Sequence, residues 1–487
     1  LYKYNYLKYI TIGLKQLYIT RILKKKQEED FMKQDKNLEL MSNAPIPKAI
    51  IKLAIPTVIS SLISVIYNLT DTIFIGMLDD PIQLSAISLA FPAFLIMQAV
   101  STIFSVGAPA YISRCLGAGE YEKAKKTSAV AHYGVAIIML VLTVLFFLFE
   151  TPIVQLMGAS EENIIPTKAY LNVIVAFSFA IAIQVVLPCL LRAEGKAKES
   201  AMGLMIGTIT NIILDPVFIF GFGMGASGAA WATIFGNIFA ALYCMFIIKK
   251  KDTFLSISFR DFKPDKKIVV EIIRIGLPSS ITNFVMSFSN VMLNNFASAY
   301  GNNAVSAVGV SGKLMSVMTM VIGGYVTGYL PFVGYNFGAG NIKRVRSSFF
   351  FTAVTSTVFG IVLMLPFALL GGIFMRAFTS TEEIIELGAK CLQIYVFCLP
   401  VLGIEYTVTT TCQATGKALA AMVSNLGRQG FFFIPALIFF KEIWGFWGLI
   451  YAQVAADYAT VVLAVILAVP LLKWLIQGQT ENGNNNS

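Results

Sequence analysis

Residues 50–56 read IIKLAIP, and residues 272–278 read IIRIGLP. The stretch 84–92, LSAISLAFP, is answered by 305–313, VSAVGVSGK, and 115–126, CLGAGEYEKAKK, by 336–346, NFGAGNIKRVR. Pro56 stands against Pro278, Ser85-Ala86 against Ser306-Ala307, and Gly117-Ala118-Gly119 against Gly338-Ala339-Gly340. Gly195-Lys196 and Gly416-Lys417 repeat at the same distance. The offset is 221–222 residues in a chain of 487, so one plan is written twice. Two related halves, where both lie in a membrane, describe a secondary transporter with its site between two bundles.

The composition places them there. The chain is 56% hydrophobic and 13% charged, with a mean hydropathy of +0.73. A soluble domain carries about 25% charged residues. Runs of roughly 20 apolar residues recur, enough to cross ~30 Å of hydrocarbon at 1.5 Å per residue. Twelve spans are predicted, at about 50–76, 85–111, 127–149, 167–188, 199–221, 227–248, 271–298, 306–333, 349–374, 388–411, 418–440 and 446–472. The expected fold class is all-α and integral to the membrane, with twelve helices in two pseudo-symmetric six-helix bundles. An even number of spans per half gives both halves one orientation, related by an axis along the membrane normal.

The basic residues give the orientation. Lys24, Lys25, Lys26, Lys33 and Lys36 precede span 1. Arg114, Lys123, Lys125 and Lys126 follow span 2, Arg192, Lys196 and Lys198 span 4, and Lys249, Lys250, Lys251, Arg260, Lys263, Lys266 and Lys267 span 6. Lys343, Arg344 and Arg346 follow span 8. The alternate connections 77–84 and 150–166 hold Asp79, Asp80, Glu150, Glu161 and Glu162 without a loop cation, and 222–226 and 299–305 hold no charge. Cations on every second loop put both termini in the cytoplasm. The net charge of +10 is then a topology signal, not a nucleic-acid footprint. Residues 1–44 are expected as a cytoplasmic segment, its first part an upstream extension with Met32 as the natural start. Residues 45–248 form the first lobe, 249–267 a cytoplasmic linker, 268–473 the second lobe and 474–487 a disordered tail. Six cysteines (Cys115, Cys189, Cys244, Cys391, Cys398 and Cys412) lie in or beside spans without metal spacing and read as small apolar core residues.

Ionisable residues inside spans are the sharper signal, because a charge at the bilayer centre costs on the order of 2.5–3.5 kcal/mol on insertion scales. Asp71 in span 1 and Asp215 in span 5 are the clearest. Asn211 and Asp215 are four apart and share a helix face. Pro216 leaves the Ile212 carbonyl without its helical donor. Span 6 adds Ala229 and Thr233, again four apart. Carboxylates, an amide, a hydroxyl and a spare carbonyl make a hard-oxygen set for a small cation. Two close carboxylates equally make a proton carrier, since both do not ionise together. The plainer alternative takes Asp71 as a polar residue at a hydrated helix end and Asp215 as the anchor of a proline kink.

With these residues in view, the sequence resembles the multidrug and toxic compound extrusion (MATE) family, and within it most the MepA-like branch. The resemblance runs from about 45 to 473. It is carried by IPTVISSLISVIYNLTDTIFIG (55–76), YISRCLGAGEYEKA (111–124), LLRAEGKAKESAM (190–202), NIILDPVFIFGFGMGASGAAWAT (211–233), YNFGAG (335–340) and CQATGKALAAM (412–422). It implies a cation-coupled antiporter of the bacterial inner membrane that exports amphipathic, mostly cationic drugs from a V-shaped cavity. Na+ or H+ is the coupling ion, and no cofactor, nucleic acid or second subunit is expected. In several members the first lobe binds sodium, or exchanges protons, at an acidic cluster. Carried over residue by residue, that cluster falls on Asp71, Asn211, Asp215, Ala229 (through its carbonyl) and Thr233, with sodium at Asp71, Asn211, Asp215 and Thr233.

The second lobe departs from the branches that place functional acids in spans 7 and 10. Leu293 stands where the first copy has Asp71, and Glu271 lies only at the cytoplasmic end of span 7. Span 10 carries Glu405, with Lys313, Arg428 and Asp457 in or near neighbouring spans. Buried charges usually pair, so Glu405 is expected to meet Lys313 or Arg428. Glu194 and His132 are expected to face water or a helix end. A flippase for a lipid-linked glycan, from the same superfamily, is the alternative; it wants a more cationic cavity than Asp71, Asp215, Glu405 and Asp457 against Lys313 and Arg428 provide. An enzyme is not expected: the one histidine, His132, has no partner motif.

Overall fold

A computed structural model describes residues 36–76, 80–159, 161, 163–250 and 252–484; the extension expected before Met32 lies outside them. Every regular element among the described residues is helical. A short α1 (Lys36–Ser42) precedes α2 (Ile46–Gly76), then α3 (Pro81–Leu89) and α4 (Phe91–Gly117) follow. The first half continues with α5 (Tyr121–Leu148), α6 (Glu150–Leu156), α7 (Ile164–Ala176), α8 (Ser178–Ala193), α9 (Ala197–Pro216) and α10 (Gly225–Ile248). The second half holds α11 (Lys266–Ser298), α12 (Asn302–Gly338), α13 (Ile342–Arg376), α14 (Glu382–Tyr395), α15 (Leu399–Ala414), α16 (Ala418–Leu426), α17 (Phe433–Trp444) and α18 (Phe446–Asn484). Eleven stretches are long and apolar enough to cross a membrane, and α7 with α8, bent by 48°, makes a twelfth. The twelve agree with the apolar runs. α18 runs on through 474–484, where composition suggests a disordered tail.

Two helices break the α pattern inside the membrane. α9 passes at Pro216 into a π turn, Val217–Gly221. α16 passes into another, Gly427–Phe431. Ala197 and Ala418 are repeat mates, yet the π turn starts 20 residues after the first (217 − 197) and 9 after the second (427 − 418). The halves therefore disagree in where they widen the helix, and π turns are enriched at functional sites.

The halves meet α4 against α11 and α2 against α12. Glycine sets the closeness. A Cβ on Gly117 would stand 1.9 Å from the Tyr335 carbonyl oxygen, and one on Gly338 would stand 2.0 Å from the Arg114 carbonyl oxygen. Gly117 and Gly338 are repeat mates, as are Arg114 and Tyr335, so the contact is made twice about the pseudo-twofold axis. Gly107 meets Ile272, Gly276 meets Ile103, and Gly328 meets Ala54 in the same way. Asn283 donates to Thr102 at 3.1 Å, and Arg114 donates to Glu271 at 2.8 Å across the seam. These contacts lie toward the side carrying the basic loops. Toward the other side the halves diverge around a cavity of about 490 Å³, lined by Val65 from one half and Leu293, Gly312 and Lys313 from the other.

Two segments lie across the basic side. In α1, Leu38 and Met41 are buried. The Met41 carbonyl accepts from Asn336 at 3.0 Å and from Arg344 at 3.3 Å, and the Ala44 carbonyl accepts from Arg344 at 2.7 Å. The segment between the halves is fastened to the first half instead: Glu194 accepts from Thr253 Oγ1 and the Phe254 N–H, both at 2.7 Å, and Ser128 donates to Ser256.

The seam yields a direct test. Gly117→Ala and Gly338→Ala each push a methyl into backbone that no rotamer change relieves, and each should cost about 1–3 kcal/mol or more. Gly372→Ala, with nothing within 4 Å of its added Cβ, should be neutral or better. Thermal unfolding in detergent reads all three.

Candidate functional site

The first half assembles its polar cluster where α9 and α10 touch. The approach is set by small residues: a Cβ on Gly236 would lie 2.7 Å from the Gly207 carbonyl oxygen, and one on Gly203 would lie 2.6 Å from the Cys244 sulfur. With the backbones this close, Asn211 on α9 reaches Thr233 on α10, and Asp215 joins the pair through Asn211. Asp215 is fully buried and Asn211 is 2% exposed. With its nitrogen turned to the carboxylate, the Asn211 amide donates to Asp215 Oδ2 at 3.0 Å, and its oxygen accepts from the Thr233 N–H at 3.2 Å. The Tyr67 hydroxyl of α2 lies 3.5 Å from Thr233 Oγ1. Ala229, one turn before Thr233, is buried. Asp71 is in the helical part of α2, but its side chain lies outside the described residues.

This cluster forms the head of a cavity of about 380 Å³ within the first half. Asn211 and Thr233 line it with Tyr67, Gln98, Gln184 and Arg192. Arg192 donates to Ser200 at 3.3 Å and to the Cys189 sulfur at 2.8 Å. An amide and two hydroxyls thus face a polar pocket, and the buried Asp215 carboxylate stands behind them, hydrogen-bonded to Asn211. Tyr67 was not picked out from the sequence, although it stands four residues before Asp71 and so on its helix face.

A second buried cluster occupies the other half. Arg428, carried by the π turn after α16, donates through Nε to Asp457 Oδ1 at 2.8 Å and through a terminal nitrogen to the Tyr406 hydroxyl at 2.8 Å. Gln453 adds a bond to the same Asp457 oxygen at 3.0 Å. The expectation that Glu405 pairs with Lys313 or Arg428 is therefore corrected: Arg428 pairs with Asp457. The reason is the π turn, whose wider coil turns Arg428 out of the α register and toward α18. Glu405, 1% exposed, has Thr409 Oγ1 at 3.3 Å from one oxygen. Its other oxygen, Oε2, and Asp457 Oδ2 have no hydrogen-bond partner among the described residues. Lys313 is exposed and lines the cavity between the halves.

Glu194 stands at a helix end as expected, though buried, whereas His132 is corrected, since it faces neither water nor a helix end. Glu194 is fully buried where α8 ends and holds the inter-half segment, with Lys196 Nζ 3.8 Å away. His132 is 7% exposed, edge-on to Tyr133. All six cysteines are free, five of them buried.

Breaking the Arg428–Asp457 pair from one side leaves a buried charge unmatched. Arg428→Met alone should lose about 3–5 kcal/mol of stability, read as a fall in unfolding temperature in detergent. Arg428→Met with Asp457→Leu should recover most of that loss. A double variant no better than the single would mean the pair is not what the site needs.

Comparison with known proteins adds the following. The family model MatE matches residues 56–217 and again 278–438. The multidrug export protein MepA of Staphylococcus aureus (strain MSSA476) is 32% identical over 440 residues, covering 90% of this chain and 97% of that protein. The MepA of Staphylococcus haemolyticus (strain JCSC1435) is 31% identical over 438 residues, covering 90% and 96%. Among solved structures, a MATE protein in complex with MaL6 superposes with a TM-score of 0.87 at 24% identity, covering 91% of this chain and 100% of the other. The outward-facing conformation of a multidrug resistance MATE family transporter of the MOP superfamily gives 0.83 at 25% identity, covering 91% and 99%.

Proposed function

The chain belongs to the MatE family, and from that membership and the geometry above we propose that it is a cation-coupled multidrug exporter working by alternating access. It is a multi-pass membrane transporter of the multidrug efflux type, not an enzyme. The finer reading rests on one observation, the fully buried Asp215 bonded to Asn211, which bonds Thr233 in turn and lines a polar pocket with it.

A carboxylate placed there has lost its water, and a small cation or a proton restores the balance. Asp71, in the helical part of α2 four residues beyond Tyr67, supplies the second carboxylate of the reading. Asn211, Thr233 and the Ala229 carbonyl complete an oxygen set for Na+; the same two acids serve H+. Binding shifts the conformational balance only as far as the ion prefers one state over the other. The drug, an amphipathic organic cation, is attracted by the same carboxylates and by aromatic walls, so drug and ion compete within the first lobe. With the basic loops cytoplasmic, the glycine seam closes the cytoplasmic side and the inter-lobe cavity opens outward. The glycan-flippase reading is less well supported, because Arg428 is engaged by Asp457 and so does not offer its charge to a pyrophosphate.

Dye efflux in inverted vesicles, with sodium and proton gradients imposed separately, tests the assignment. Asp71→Asn and Asp215→Asn should each lower gradient-driven ethidium transport at least about tenfold, the equivalent of ~1.4 kcal/mol, and erase the dependence on the coupling ion. Transport and cation dependence surviving both substitutions would place the site elsewhere.

A further inference from the structure

One large cavity belongs to neither polar cluster. It is a trough of about 960 Å³ on the outside of the second half, between α14, α17 and α18. Phe397, Trp444, Trp447, Tyr451 and Tyr458 form its walls, and Lys390 is the charged residue that lines it. Trp444 and Trp447 flank the turn at Gly445, where α17 ends and α18 begins on the side away from the basic loops. Tryptophan at a helix end of this kind marks headgroup height. From Trp447 to Tyr458 the helix rises about 16 Å at 1.5 Å per residue, which is one leaflet of a hydrocarbon core about 30 Å thick.

The height of Lys390 follows from one hydrogen bond. The Tyr458 hydroxyl donates to the Phe397 carbonyl at 3.2 Å, so those two residues are level. α14 with α15 and α18 cross in the same direction. Lys390, seven residues before Phe397, therefore stands beside Tyr451, seven before Tyr458, about 10 Å above the trough's lower end. Its ammonium is exposed on a membrane-facing wall, with no carboxylate within 4 Å among the described residues. The acids at the start of α14 are occupied: Glu382 pairs with Arg376 and Glu383 accepts from Asn303. Glu386, one turn from Lys390, makes no ion pair with it, and Lys441 of α17 points to the Phe296 ring.

We propose that this trough is a binding site for an anionic glycerophospholipid of the leaflet on the side away from the basic loops. Its phosphate sits on Lys390, and one acyl chain lies along the aromatic wall down to Tyr458. Three independent features converge on that occupant: a cation lacking a protein counter-ion about 6 Å below the tryptophans, whose long side chain can rise to a headgroup phosphate, an apolar channel one leaflet long, and tryptophans at its mouth. A cationic drug is disfavoured by the same lysine. The inference does not depend on the coupling site.

Native mass spectrometry of the full-length chain, with phosphatidylglycerol and phosphatidylcholine added in equal amounts, is the test. Wild type and Lys390→Arg should retain one phosphatidylglycerol at least about fivefold more than phosphatidylcholine, and Lys390→Glu should lose that preference at an unchanged unfolding temperature. In parallel, phosphatidylglycerol brominated on its acyl chains should quench Trp444 and Trp447 fluorescence, with the excess quenching absent from Trp444→Phe/Trp447→Phe. Equal retention of both lipids by wild type, retention unaffected by Lys390→Glu, displacement of the lipid by ethidium, or a second copy of the chain in its place would each overturn the proposal. Should Lys390→Glu fail to fold, the quenching comparison between the two brominated lipids on wild type decides alone: equal quenching overturns it.

Discussion

The carbonyl oxygens of Arg114 and Tyr335 occupy the space that side chains on Gly338 and Gly117 would need. Everything else about how the halves sit is subordinate to that contact. In hydrocarbon there is little hydrophobic gain in pressing two helices together, so close backbone approach and dispersion must hold them. A seam of glycines gives that approach at one end only. The divergence at the other end, and the cavity it leaves, follow from where the glycines stop. Gly309 and Gly312, toward the open end of α12, have nothing within 4 Å of an added Cβ.

The two halves spend their buried polarity differently. The first buries Asp215 against the Asn211 amide, behind a pocket lined by Asn211 and Thr233. The second gives Asp457 a fixed counter-charge, Arg428, and leaves Glu405 with one oxygen unbonded among the described residues. A charge already matched by a fixed partner responds little to ions in solution. The pseudo-symmetry of the fold thus carries two unlike electrostatic designs. The π turns mark the difference, one following Asp215-Pro216 and the other carrying Arg428 itself.

Much of this was readable in the chain. The doubled motifs gave two six-span bundles, because a repeat at 221–222 residues in a chain this apolar leaves few other architectures. Asn211, Asp215 and Thr233 were legible because spacing of four fixes a helix face, and Gly207 and Gly236 bring those faces together. The pairing of Arg428 was not legible. A π turn adds a residue to one coil, so the α register used to read the sequence points the side chain the wrong way. Gln453 could have been found, since it stands four residues before Asp457, whereas Tyr406 could not, since nothing local ties it to Arg428. The burial of Glu194 escaped for another reason: its partners are backbone groups of the inter-half segment, and a backbone donor leaves no trace in residue identity.

The short helix Lys36–Ser42 has a consequence for motion. It continues directly into α2, which belongs to the first half, yet its carbonyls are gripped by Asn336 and Arg344 of the second. The chain is thus stitched to the half it does not enter. Any swing that parts the basic ends must stretch residues 43–45 or undo three hydrogen bonds, two of them from a guanidinium and so each contributing about 1.5–3 kcal/mol. In the transport cycle proposed above, the strap would act as a detent: a small fixed threshold to be exceeded before the molecule turns over.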